Sequence, residues 1–162
     1  VGLELARDLP DVRTVLVPVG GGGLVGGVAT AVKALLGPRV KVYGVQAAGA
    51  GPLPTSFARG EPVDAGAPKT FADGMAATRV FPYMWPLLRE RLDGAFHVTD
   101  DELQRAVVHL AKESHVVVEG AGAAGLAAAW RYRDQLEAPI ACVASGGNID
   151  PTLLARFLAP SV

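Results

Sequence analysis

The chain has one cysteine, Cys142, among its 162 residues. A single thiol inside an apolar run excludes a disulfide framework and fits a reducing, cytoplasmic setting. An excess of charge of one sign is also missing. The net charge is −1, which leaves no electrostatic footprint for nucleic acid or for an acidic membrane. No apolar stretch reaches membrane-spanning length, because glycines, prolines and charges interrupt each one. The three histidines, His97, His109 and His115, have neither metal nor triad spacing. The opening residues, Val1 to Arg7, contain no initiator Met and no signal-peptide pattern, so the chain is expected to begin inside a longer protein.

What the chain does have is glycine, concentrated where it matters. Gly20, Gly21, Gly22 and Gly23 follow the apolar run Val15-Leu16-Val17-Pro18-Val19 and precede a helix-like run opening at Leu24. A residue without Cβ lets the backbone approach an anion and aim successive N–H groups at it. The helix that follows adds free N-terminal amides and the positive end of its dipole. The pattern predicts a cradle for a phosphorylated small molecule. It is not a P-loop, because Leu24-Val25-Gly26 replaces the Lys-Ser/Thr tail. A dinucleotide fingerprint fits only loosely through Gly21, Gly23 and Gly26. The acidic residue expected at the next strand end is Gln46, a poor partner for a ribose diol.

Along the chain, strand and helix patterns alternate. Strands are expected at Thr14–Val17, Val40–Val45, Ala95–Val98 and Pro139–Ala144. Helices are expected at Leu3–Leu9, Leu24–Leu36, Leu53–Arg59, Tyr83–Leu92, from Thr99 to about Ser114, and in an Ala-rich stretch to about Arg133. Thr99-Asp100-Asp101-Glu102 has the form of a capping box, and Asp150-Pro151 reads as an N-cap with proline at the first helical position. Glu61–Lys69 is a Pro/Gly/Ala loop. The helix at 24–36 has so little polar surface that it is expected to be covered. This order predicts an α/β fold in three layers, a mainly parallel twisted sheet with helices on both faces. Ligands of such sheets bind outside the carboxyl ends of the strands, and two strands end there in glycine-rich turns, after Val19 and after Ala144.

Four segments in order identify a family resemblance: Pro18-Val-Gly-Gly-Gly-Gly-Leu24, Thr70-Phe-Ala-Asp-Gly74, Val117-Val-Glu-Gly-Ala-Gly-Ala-Ala124 and Ser145-Gly-Gly-Asn-Ile-Asp150. They span nearly the whole chain, which resembles the C-terminal half of the threonine/serine dehydratases and serine racemases. These are pyridoxal-phosphate enzymes of the tryptophan-synthase-β fold (fold-type II). The resemblance implies pyridoxal 5'-phosphate as cofactor and L-threonine or L-serine as substrate. It implies β-elimination to a 2-keto acid and ammonia, with racemisation or another β-elimination or β-replacement as the alternative. A non-catalytic cofactor-binding fragment is the reading from a different class. A homodimer or homotetramer is expected from the same likeness.

The resemblance also assigns roles. Gly20, Gly21, Gly22, Gly23 and Leu24 would hold the cofactor phosphate through backbone amides, Ser145 would hydrogen-bond the pyridine nitrogen, and Gly74 would lie beside the ring. Glu119 is a possible lining residue, able to orient a ring substituent or a water. Asn148 and Asp150 read as turn and cap residues, Asp73 as a local backbone acceptor, and Trp85 and Trp130 as packing residues. Two departures stand out. The family's Schiff-base lysine lies in a Ser-x-Lys-x-Arg-Gly motif of the N-terminal half, and Lys33, Lys41, Lys69 and Lys112 do not match it. Residues 1–162 are therefore expected to form the C-terminal part of a catalytic domain, with no catalytic residue of its own, inactive in isolation. In addition, Gln46 and Pro52 stand where some members place carboxylates for a divalent cation, so no metal is expected there.

Overall fold

A computed structural model describes residues 1–159, so the last three residues of the expected unit lie outside the described residues. The elements run α1 (Gly2–Asp8), β1 (Thr14–Pro18), α2 (Gly23–Leu36), β2 (Lys41–Ala47), α3 (Pro52–Arg59), α4 (Trp85–Arg91), β3 (Gly94–Val98), α5 (Asp100–Glu113), α6 (Ala124–Arg131), β4 (Ile140–Cys142) and α7 (Pro151–Leu158). Among the described residues the strands form one sheet in the order β3-β2-β1-β4, with every pairing parallel. The central strand β1 is buried at all five positions, as a continuous apolar run in a parallel sheet should be.

Alternation along β1 divides the interior into two cores. Val15 and Val17 pack on one face with Val25, Val28, Ala29 and Val32 of α2, Leu53 of α3 and Leu88 of α4. Leu16 points to the other face, with Leu103 and Val107 of α5 and Ala124, Ala127 and Ala128 of α6. Helices on both faces of a parallel sheet give the three layers expected from the alternation. Gly44 of β2 has no side chain because Leu53, Val19 and Leu92 fill its place; a Cβ there would lie 2.8 Å from Leu53.

Three expectations shift on folding. The strand anticipated to Ala144 stops at Cys142: Val143 still donates to the Leu16 carbonyl (2.9 Å), and the chain then leaves the ladder. The Ala-rich helix opens with a 3₁₀ turn at Ala121–Ala123, leaving Ala124–Arg131 as its α-helical part. Helix α2 is covered on one face only, since Leu24, Gly27, Thr30 and Leu35 are exposed opposite its buried valines. Both caps form as read. The Glu102 amide donates to Thr99 Oγ1 (3.3 Å), the Thr99 amide donates to Glu102 Oε2 (2.7 Å), and the Leu153 amide donates to Asp150 Oδ1 (2.9 Å).

Two polar links fasten β2. The fully buried Gln46 donates Nε2 to the Val19 carbonyl (3.0 Å) and accepts the Leu53 amide on Oε1 (2.7 Å). Its carboxamide is thus committed to joining the end of β1 to the start of α3. Asp93, just ahead of β3, accepts from Lys33 (2.5 Å), Lys41 (3.1 Å) and the Val42 amide (2.9 Å). Burial pushes the Asp93 carboxyl up, but those three donors outweigh it and hold it below the usual carboxylate range.

Gln46→Leu leaves a buried acceptor and a buried donor unpaired and is expected to destabilise by about 2–4 kcal/mol in urea unfolding. Asp93→Asn is expected to melt below the native chain at neutral pH. Because the folded value of Asp93 is depressed, that difference is present above its ordinary value of 3.8 and closes as pH falls through the folded value. Thermal melts of both proteins across that interval read the effect.

Candidate functional site

The sheet order creates a crevice. From β1 the chain proceeds to β2 and β3 on one side, whereas β4 pairs on the other. The carboxyl ends of β1 and β4 are therefore neighbours at a topological switch point, where parallel α/β sheets take their ligands. The glycine loop leaves the first of these ends and the Ser145 turn leaves the second. A cleft of about 300 Å³ opens there, lined by Pro18, Gly20, Gly21, Gly22, Gly23, Leu24, Gly74, Glu119, Ala121, Ser145 and Gly146. All eight residues read from the sequence as site residues lie in this lining. The four lysines do not: Lys33 and Lys41 are bound to Asp93, Lys69 precedes the Thr70 segment, and Lys112 lies on the outer part of α5.

The loop's geometry explains its glycines. Gly22 has φ +95° and caps α2 from the left-handed region; a Cβ on it would press on Leu88 and Met84 of the α4 region at 3.2 and 3.4 Å. A Cβ on Gly20 would sit 2.6 Å from the Gly74 carbonyl oxygen, so the two backbones meet where no side chain fits. The first helical bond of α2 runs from the Gly26 amide to the Gly22 carbonyl (2.9 Å). Among the described residues the amides of Gly20 to Val25 donate to no protein acceptor. A row of unsatisfied donors at a helix start favours an anion. The donor set fits a phosphate group: it supplies hydrogen bonds and partial positive charge without a metal or a lysine.

The opposite wall is built from two segments locked together. The Glu119 amide donates to the Gly146 carbonyl (3.0 Å), and Glu119 Oε2 accepts the Asn148 amide (3.2 Å). Gly146 has φ +76°, and a Cβ on it would lie 2.5 Å from the Glu119 carboxylate. Glu119 thus shapes the Ser145 turn while keeping Oε1 beside Gly74. Ser145 Oγ has no protein partner among the described residues, leaving the hydroxyl free to bond into the cleft. Asp73 takes the Gly74 amide (2.9 Å), the local backbone role expected of it. His97 bonds the Gly51 carbonyl (2.7 Å) away from the cleft. Trp85 is buried core, whereas Trp130 is 43% exposed and meets His109 edge-on.

Sequence reasoning did not single out Pro18 and Ala121 of the lining, or Phe81, whose ring lies 3.7 Å from where a Gly21 Cβ would be. Pro18 stands inside a quoted motif, so its place was open to reading. Phe81 follows an irregular segment and carries no spacing signal.

Residues 1–146 match the family described as pyridoxal-phosphate dependent enzyme. The chain is 39% identical over 158 residues to the L-threonine ammonia-lyase of Thermotoga maritima, covering 98% of this chain and 39% of that protein. A solved threonine deaminase from T.th. superposes with a TM-score of 0.88 at 39% identity, covering 92% of this chain and 52% of that one. A maize serine racemase gives 0.86 at 32% identity, covering 96% and 48%. The chain therefore spans about half, or less, of the length of these relatives.

Gly20→Ala is expected to abolish inorganic-phosphate binding followed by 31P NMR, because its methyl group drives the Gly74 backbone away. Gly27→Ala, one turn on in open space, is expected to retain binding and to gain about 0.5–1 kcal/mol of stability in thermal melts.

Proposed function

The chain belongs to the pyridoxal-phosphate dependent enzyme family, and from that premise we propose that it is the C-terminal part of the catalytic domain of an L-threonine/L-serine ammonia-lyase. The reaction is β-elimination to a 2-keto acid and ammonia. The observation that carries the proposal is the row of amides from Gly20 to Leu24 and the Ser145 hydroxyl, all lining one cleft and all without a protein partner among the described residues. Threonine ammonia-lyase and threonine deaminase relatives at 39% identity support the reaction class. The preceding half of the protein supplies the lysine. A homodimer or homotetramer in the cytoplasm belongs to the same proposal.

When bound, pyridoxal phosphate supplies an electron-accepting ring that takes up charge as the substrate's α-proton is lost. The residues of this chain bind and orient. Fixed amides of the glycine loop would hold the phosphate dianion with little reorganisation, because the loop geometry is already set by Gly22 and the start of α2. Ser145 Oγ would donate to the pyridine nitrogen and leave it neutral. A carboxylate in its place would favour the protonated ring and a deeper electron sink. The milder setting suits loss of a β-hydroxyl more than reactions that need a long-lived carbanion. Gly74 would present bare backbone to the ring, and Glu119 holds the Ser145 turn while lining the cleft.

The likeness to maize serine racemase favours racemisation as the second reading. Product analysis separates the two: L-serine yields pyruvate by elimination and D-serine by racemisation. The full-length protein is expected to release 2-keto acid and ammonia from L-threonine, and residues 1–162 alone to release none. Ser145→Ala in the full-length protein is expected to lower kcat/KM about tenfold, the effect of one lost hydrogen bond. Robust turnover by the isolated chain, or an upstream sequence without a lysine in the Ser-x-Lys-x-Arg-Gly setting, sinks the proposal.

A further inference from the structure

The segment that carries Gly74 has no regular structure of its own ahead of the 3₁₀ turn at Asp73–Met75. Its place against the glycine loop must be set from outside. Asp100, the first residue of α5, reaches it with both carboxylate oxygens: Oδ1 accepts the Thr70 hydroxyl (2.6 Å) and Oδ2 accepts the Phe71 amide (3.2 Å). The same Thr70 oxygen accepts the Ala72 amide (3.1 Å), so a short chain of hydrogen bonds runs from α5 into the segment. The helix cap is already complete without Asp100, since Thr99 and Glu102 satisfy each other's amides. The first turn of α5 favours a negative charge at Asp100, and that charge strengthens bonds to a hydroxyl and an amide.

Packing transmits this hold to the cleft. Gly120 leaves room for Phe71 and Ala72, with a hypothetical Cβ only 2.6 Å from the Phe71 ring, and Phe71 meets Phe157 of α7 edge-on at 5.1 Å. Gly74 is then wedged between the backbone of Gly20 and the side chains of Glu119 and Ala121. In this position Gly74 lines the cleft with its backbone against that of Gly20. We infer that Asp100, acting through Thr70, is a positioning residue of the cofactor site, holding the Thr70–Gly74 segment in register so that Gly74 orients the cofactor ring. Asp100 touches neither substrate nor cofactor. This inference rests on the cofactor assignment above.

The test uses the full-length protein and three variants: Asp100→Ala, Thr70→Val and Thr70→Ser. Thr70→Val keeps the volume and removes only the hydroxyl, so it reads the contact even where Asp100→Ala fails to fold. Pyridoxal phosphate is titrated by absorbance, and ring orientation is read from the induced circular dichroism of the bound cofactor. Thr70→Val and Asp100→Ala are expected to raise the cofactor Kd about tenfold and to weaken the induced band at saturation, with Thr70→Ser restoring both. Unchanged Kd and unchanged band in Thr70→Val overturn the inference, even where the melting temperature of the cofactor-free protein falls, since that outcome makes the contact structural only. Inorganic phosphate, titrated separately by 31P NMR into the native protein, tests the underlying assignment. If phosphate and pyridoxal phosphate both fail to bind the native protein, the cofactor reading falls and this one with it.

Discussion

The site depends on two stretches of bare backbone being allowed to touch. Gly20 and Gly74 approach so closely that a single methyl on the former would collide with the carbonyl of the latter. That approach lets the glycine loop run into the helix start with its amides unclaimed among the described residues. Main-chain donors suit a dianion because they carry partial charge, need no counter-ion and do not change protonation state across the working pH range. A lysine in the same place would bind phosphate too, but as a mobile point charge. An amide nest would fix direction as well as location.

The rest of the molecule keeps that contact rigid. The fully buried strand β1 carries the loop at its end, and two cores clamp the strand from above and below. Gln46 ties the residue before the loop to α3 and so braces the exit of β1. On the other wall, Glu119 knits the turn after β4 to the approach to α6, making Ser145 part of a braced turn. Each brace is a buried or half-buried polar side chain answering a backbone group. This is how irregular segments next to a binding cleft stay ordered without helix or strand ladders.

The local devices were open to reading in the chain. A run of four glycines between strand and helix patterns, Thr99 with Glu102, and Asp150 with Pro151 are short-range signals, and each forms the structure its chemistry requires. Element ends were less legible. The strand after Pro139 ends where hydrogen bonding to Leu16 ends, and that is a property of its neighbour. The apolar face of α2 gave no hint that only half of it would be covered by residues of this chain, because hydrophobicity records a need for burial and not its source. Gln46 was read as a missing carboxylate; its positive role, bridging Val19 and Leu53, depends on a helix folding back over the strand end. Asp100 looked like a helix-start acid, and its contact with Thr70 spans thirty residues that no local pattern connects.

The amino-acid sequence by itself determined the alternation of strands and helices, the glycine-rich loop at a helix start and the side chains on offer at Ser145 and Glu119. These follow from side-chain size, periodicity and capping, all of which act over a few residues. Only the tertiary structure decided that segments near positions 20, 74, 119 and 145 share one cleft. The reason is the placement of β4 on the far side of β1, which reverses the strand order and sets two glycine-rich turns side by side. Strand order is settled by which faces bury the most apolar surface together, a sum over the whole chain that no single stretch contains.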